Sequence, residues 1–194
     1  LNDSTRILHS LRIEYLNYDY TNNHIVGNTK DDGTPCGFGG CLYTRPASRE
    51  DSFTNVGVRL GTERDLEAGL LYANVSSGFR PPQVTELYRL RGGQVIADLD
   101  SERLSSLEVV FKNANVAVAL FADRTRNVMF RDSEAFNVSD GRTRSAGVEV
   151  SGQRSFGRHE LQIAATYARH QYDFDRAVDL SLIHISEPTR RYSI

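Results

Sequence analysis

The chain has 194 residues, a formal net charge of −2 and 25% charged residues. Its pI is near 6.2 and its basic residues are scattered among acidic ones, which gives no support for a nucleic-acid surface. A mean hydropathy of −0.44 excludes membrane-crossing helices, and the longest apolar run, Val116 to Ala122, falls far short of the ~18 residues such a helix needs; membrane-crossing strands, which alternate lipid-facing and lumen-facing residues, stay open.

Period-two alternation dominates and predicts about seven strands, with no helix of three turns. The first strand is Leu11 to Tyr20, rich in aromatics. A long link, Thr21 to Ser52, follows and holds both cysteines, in Cys36-Gly37-Phe38-Gly39-Gly40-Cys41. A zinc site usually wants four ligands at paired spacings, so one short pair favours a disulfide clipping a loop tip. That reading implies an oxidising compartment. The glycines between them lack the strand-to-helix setting and following Lys-Ser of a phosphate cradle. Asp19, Asp31 and Asp32 lack the spacing of a calcium loop and suit turn chemistry.

The second strand, Phe53 to Gly61, sets Val56, Val58 and Leu60 against Asn55, Gly57 and Arg59. Thr62 to Asp65 reads as a tight hairpin into the third strand, Leu66 to Gly78. A long link, Phe79 to Arg103, leads to Ser105 to Lys112, with Leu107, Val109 and Phe111 on one face. Lys112 to Asn115 turns tightly into Asn115 to Phe130. Another long link, Arg131 to Thr143, leads to Arg144 to Gln153, where Ala146, Val148 and Val150 alternate with Gly147, Glu149 and Ser151. Ser155 to Arg158 turns into the last strand, Glu160 to Phe174. Short and long connections therefore alternate strictly. That is the topology of an outer-membrane barrel, with short periplasmic turns and long outer loops, and a compact soluble sandwich would avoid a link of ~30 structureless residues. Arg59, Glu108 and Glu149 are expected to face the lumen, because Arg at mid-bilayer costs ~2–4 kcal/mol and Glu somewhat less. Tyr18, Tyr20, Phe53, Phe79, Phe130, Phe136, Tyr172 and Phe174 fall near the long-loop ends, where an interfacial girdle would place them.

The most specific stretch is Ser77-Gly78-Phe79-Arg80-Pro81-Pro82, continuing through Glu86-Leu87-Tyr88. It is followed by Asp98-Leu99-Asp100-Ser101-Glu102 and by Ser106-Leu107-Glu108. These motifs resemble those of TonB-dependent outer-membrane receptors, in which Gly-Phe-Arg-Ala-Pro ends a strand and Glu-Leu-Tyr follows. Asn127 to Asp132 and the Gly147-Val148-Glu149 strand resemble further family segments, so the likeness covers most of Leu1 to Asp179. The family's Asn-Pro-Asp-Leu-Lys-Pro-Glu is replaced here by Ala97 to Glu102. The resemblance implies an all-β fold: an antiparallel up-and-down meander, an open part of a large transmembrane β-barrel of ~22 strands.

It also implies a location in the outer membrane of a Gram-negative bacterium, in contact with outer-membrane lipid. Outer loops would bind a ferric siderophore, cobalamin or an oligosaccharide. The TonB–ExbB–ExbD complex would drive import with the proton gradient, acting through a plug domain expected to be missing here along with any leader. No enzymatic activity, cofactor or metal is expected. An outer-membrane β-barrel enzyme and a soluble carbohydrate-binding β-protein are the rival readings. His9, His24, His159 and His170 are scattered and suggest no catalytic arrangement.

Within Phe79 to Arg103, Arg89, Arg91 and Tyr88 are the candidate ligand contacts, since guanidinium suits carboxylate and catecholate oxygens. Arg80 and Glu86 are expected to form structural ion pairs. Phe79, Pro81, Pro82, Leu87, Glu102 and Glu108 complete the structural signature, and the prolines end the strand ladder. From Leu180 onward the chain resembles a translated transposon adapter used in sequencing libraries. The expected division is a barrel segment over 1–179 and a non-native tail over 180–194, with His184 and Glu187 set aside.

Overall fold

A computed structural model describes residues 5–23, 34–35 and 43–174. Cys36, Cys41 and the boundary near Asp179 lie outside the described residues. In chain order the elements are β1 (Thr5–Tyr20), β2 (Tyr43–Thr44), β3 (Arg49–Leu66), β4 (Gly69–Arg80), α1 (Val84–Tyr88), β5 (Leu90–Arg91), β6 (Glu102–Lys112), β7 (Val116–Arg131), β8 (Asn137–Phe156) and β9 (His159–Tyr172). Seven of them form one antiparallel sheet in the order β1-β3-β4-β6-β7-β8-β9, each long strand beside its predecessor. This is the expected meander, open at β1 and β9 among the described residues.

The alternation in the sequence becomes two chemically different faces. Pairs across an antiparallel ladder share a face. Leu11 with Val58, Val75 with Leu107, and Leu120 with Val148 therefore stand on one side. Ile7, Ile13, Leu60, Val150 and Ile163 are likewise exposed there. The opposite face carries Arg59, Asn74, Glu108 and Glu149 through the same registers. Arg59 donates to Asn74 Oδ1 at 2.8 Å and also to the Tyr72 hydroxyl. Among the described residues the apolar face has no protein partner, whereas the polar face pairs many of its own groups. Hydrocarbon outside and hydrated lumen inside account for both.

The apolar belt also slopes. On β1 its exposed residues reach up to Tyr15, while on β9 they stop at Tyr167. The row of Tyr167 runs back through Val148, Leu120, Val109, Ala73 and Thr62 to Ile7. The belt thus slips from Ile7 to Tyr15 over the width of the seven-stranded sheet. At ~3.3 Å per residue and ~4.8 Å between strands, that slip is a tilt of about 40°, the slope of membrane-barrel strands.

Two connections and one strand start differ from the sequence reading. β3 runs through Thr62–Asp65 to Leu66, and the turn falls at Glu67 and Ala68. The reason is Gly69, whose φ of +148° only glycine adopts easily and whose Cβ would lie 2.4 Å from the Lys112 carbonyl oxygen. The link after β7 is shorter than expected, since β7 ends at Arg131 and β8 begins at Asn137. Asp132 closes it, its Oδ1 accepting the N–H groups of Glu134 and Phe136 at 2.9 Å each. β1 starts at Thr5 rather than Leu11. Overall the strands outrun the bilayer. The 20 residues of β8 extend for roughly 65 Å, and at this tilt rise about twice the height of the apolar band. The excess projects at the end that carries the long links.

Candidate functional site at the long-loop rim

The buried apolar residues of the described chain are Leu87, Tyr88, Leu90, Ala97 and Leu99. All lie in the link 81–101, so this segment has a small core of its own and is not a loose loop. Tyr18, Tyr20, Phe53 and Met129 pack against that core. Tyr20 stacks on Tyr88 with ring centroids 4.2 Å apart, and Tyr18 meets Tyr88 edge-on at 6.3 Å. Tyr18, Tyr20 and Phe53 were expected in an interfacial girdle. Their registers with Asp51, Arg49 and Leu16 place them on the polar face instead, holding the link against the inside of the wall. Tyr15 and Tyr167 are exposed aromatics of the apolar face.

Arg80 is the anchor where the link leaves β4. Its Nε and Nη2 donate to the two oxygens of Glu102 at 2.8 and 2.9 Å, and its Nη1 donates to both oxygens of Glu86 at 3.1 Å. One guanidinium therefore ties the end of β4, the start of β6 and α1 together, using the planar fork that lysine lacks. The pair lies beyond the apolar belt, which ends on these strands at Val75 and Leu107. The Glu102 bond holds the Arg80 pKa above its ordinary value against the opposing effect of burial, with Glu86 adding to it. Burial alone would raise Glu102. The Arg80 hydrogen bond and charge, with the Met129 N–H that donates to Glu102 Oε1 at 2.8 Å, outweigh it, and the carboxyl ends below its usual range. Glu86 also accepts the Gln83 N–H at 2.7 Å, starting the single turn of α1.

The rest of the link is pinned at several points. The Tyr18 hydroxyl donates to the Pro82 carbonyl at 3.0 Å, just where the two prolines have ended the ladder. The Tyr88 hydroxyl donates to Asp51 Oδ2 at 2.8 Å, and Asp51 is also paired with Arg49. Burial first, then Asp51, pushes the Tyr88 phenol well above its ordinary value. From the other side Asn137 donates its side-chain amide to the Glu86 carbonyl at 2.8 Å and exchanges hydrogen bonds with Gln94 at 2.9 Å. Ser139 Oγ accepts the Asp100 N–H at 2.8 Å. The link bridges the β1–β3 rim and the β7–β8 rim.

Of the sequence candidates, Arg80, Glu86 and Glu102 come together as ion pairs, and Leu87 is core. Phe79 lies against Gly57 beneath the Arg12 guanidinium, 5.1 Å from ring centroid to carbon. Glu108 stands lower on the polar face, opposite Asn74 and Phe121. Arg89 and Arg91 are exposed on the link. Tyr88 is only 5% exposed with its hydroxyl engaged, so it stands behind the link's surface. Asp51, Asn137 and Gln94 were not singled out in the sequence. Asp51 shares the parity of Asn55 and Arg59 on the same strand, a faint signal. Nothing local marks the other two.

The chain matches the family model described as TonB dependent receptor-like, beta-barrel, over residues 1–193. No curated protein matches it. Among solved structures it is similar to the copper transporter OprC, at 14% identity and a TM-score of 0.63, over 88% of this chain and 28% of that one. It is also similar to the ferric-catecholate import receptor Fiu from E. coli K12, at 16% identity and a TM-score of 0.54, over 85% and 26%. The FrpB iron transporter from Neisseria meningitidis follows at 14% identity and 0.51, over 67% and 22%. At these identities the likeness is one of fold, and the chain spans about a quarter of each structure's length. With its sloping two-faced wall and the Arg80 rim cluster, the chain belongs to the TonB-dependent receptor family and forms part of the family's β-barrel.

Proposed function

We propose that this chain is a wall-and-rim segment of an outer-membrane receptor that captures a scarce anionic metal chelate, a ferric siderophore above all, and imports it. TonB–ExbB–ExbD, acting through a plug, supplies the proton-motive work, and the membrane is the outer membrane of a Gram-negative bacterium. Cobalamin and oligosaccharides are the other ligand classes within reach of such a receptor. The observation that carries the reading is the pinned link 81–101, which presents Arg89 and Arg91 at the rim from a packed base. A rigid platform presents charge without ordering cost on binding. Tyr88, buried beneath, positions the platform and does not touch ligand. The similar structures are a copper transporter, an iron transporter and a ferric-catecholate import receptor, which supports uptake of metals.

The test is binding of a ferric-catecholate complex to the full-length receptor in detergent. The double variant Arg89→Ala, Arg91→Ala is expected to weaken binding by about tenfold, as loss of charge-assisted hydrogen bonds does. Unchanged affinity, with the variant still migrating as a folded barrel, removes these two residues from the site. Tighter binding of a neutral oligosaccharide than of any chelate overturns the ligand class.

A further inference from the structure

The rim has a second basic surface on the opposite, lipid-facing side. The registers place Arg103, Arg126 and Arg142 in one row across β6, β7 and β8, and Ser105, Arg124 and Arg144 in the row beneath. By alternation these positions share the face of Leu107, Leu120 and Val148. The two rows directly below are Leu107–Ala122–Ala146 and Val109–Leu120–Val148, all apolar. Five arginines thus cap the belt where it ends, in a patch of roughly 10 by 7 Å at strand spacings.

None of the five makes an ion pair or side-chain hydrogen bond among the described residues. Arg124 feels Arg126, Arg144 and Arg142 as repelling neighbours, with Asp173 as the opposing charge. Its Nε is shielded from solvent and has no hydrogen-bond partner. Like charges stacked this way raise the energy of the wall unless an anion lies over them.

We propose that this outward patch binds the phosphorylated headgroup of an outer-leaflet glycolipid, with Arg103, Arg124, Arg126, Arg142 and Arg144 engaging its phosphates. Guanidinium groups grip phosphate oxygens in pairs. The apolar rows immediately beneath argue for an amphiphile: charge rests on the arginines and acyl chains run down Ala122, Ala146, Leu120 and Val148. A soluble anion would leave that continuity unused. The inference rests on the outer-membrane placement proposed above, and is independent of the imported ligand.

The experiment uses the full-length receptor in detergent micelles, titrated with bisphosphorylated lipid A, with the same lipid after phosphatase treatment, and with inorganic phosphate. Retained lipid is read by native mass spectrometry. Folding is read separately by heat-modifiable gel migration, so failure to form a barrel is distinguished from failure to bind. The wild type is expected to retain the bisphosphorylated lipid at least tenfold better than the dephosphorylated one, and to lose it as salt rises. Replacing all five arginines by Gln is expected to abolish that preference. Arg124→Gln with Arg144→Gln is expected to weaken it about fivefold. Arg64→Gln, which removes an exposed arginine paired to Thr5 and Leu71 at the other end of the same face, is expected to leave it unchanged. Equal retention by the folded five-Gln variant, equal retention of the dephosphorylated lipid, or equally tight binding of inorganic phosphate would overturn the proposal. So would a patch covered by a co-purifying protein in place of lipid.

Discussion

Arg80, on the inner side of the rim, holds two carboxylates at 2.8 to 3.1 Å, whereas Arg124, two strands away on the outer side, meets mainly other arginines. Both side chains sit at the same end of one wall, beyond the same apolar belt. The inner arginine makes four hydrogen bonds within the fold, closing β4, α1 and β6 into one unit. Among the described residues the outer set has no such partners. A wall one residue thick thereby separates a surface that completes itself from one that depends on what surrounds it. The same split runs down the whole sheet, where Arg59 finds Asn74 and Tyr72 inside while Leu60 beside it stays bare.

The largest expected effect comes from moving one charge across that wall. Leu120→Arg puts a guanidinium in the middle of the apolar face and is expected to cost about 2–4 kcal/mol. Thr166→Arg, on the inner face opposite Glu149, is expected to change stability by less than about 0.5 kcal/mol, the scale of an exposed pair. Urea unfolding of the full-length receptor in lipid vesicles measures both. Equal costs would mean the two faces have been assigned to the wrong media.

Next in size is Arg80→Ala. Breaking a fully buried ion pair costs about 3–5 kcal/mol. The side chains here are 38, 27 and 19% exposed, so solvent screens part of that and about 2 kcal/mol is expected, confined to the link. Trypsin cleavage after Arg89 and Arg91 is the local readout, expected to speed up by about an order of magnitude while the barrel stays folded. Cleavage at the wild-type rate would show that the core of Leu87, Leu90 and Leu99 holds the link without the ion pairs.

These two effects differ in how far the sequence announced them. Leu120 and Thr166 take their faces from period-two alternation, which needs only neighbours in the chain. Arg80, Glu86 and Glu102 came from a family motif, and their pairing was expected on that ground. The Tyr88–Asp51 bond joins residues 37 apart through the path of an irregular link, which no local pattern encodes. The long-loop aromatics carried a misleading signal, because β-propensity, an interfacial girdle and an inner rim core all enrich tyrosine and phenylalanine. The outer arginines were legible and missed. Leu120, Ala122, Arg124 and Arg126 keep one parity, as do Arg142, Arg144, Ala146 and Val148, so the alternation continues past the belt with arginine in the apolar phase. The turn at Glu67–Ala68 was also legible, in Gly69.

Tyr88→Phe tests the inner side at a smaller scale. It removes one hydrogen bond and leaves Asp51 with Arg49, so about 1 kcal/mol is expected. The pH dependence has a definite sign. With the link released, the phenol ionises near its ordinary value of about 10. In the closed link burial and Asp51 keep it protonated beyond that. The bond's contribution is therefore complete below pH ~10 and is lost as pH rises above it toward the folded value. Subtilisin nicking of the link is expected to accelerate as pH rises above about 10 in the wild type, and not in Tyr88→Phe. A flat wild-type profile would mean the link never opens far enough to free the hydroxyl.

The smallest expected effect has the opposite sign. In lipid-free detergent Arg124→Gln removes a charge repelled by Arg126, Arg144 and Arg142, and also the Nε that lacks a partner. The polar side chain that replaces it still suits a position above the belt. Stability is expected to rise slightly, because like-charge contacts across the sheet are relieved. In vesicles carrying phosphorylated lipid the sign is expected to reverse, because the arginine then has its phosphate. The same substitution read by urea unfolding in two media thus isolates the surroundings, since the protein's own contacts are common to both. A gain in both media would mean the repulsion is never offset and the outer arginines answer to water alone.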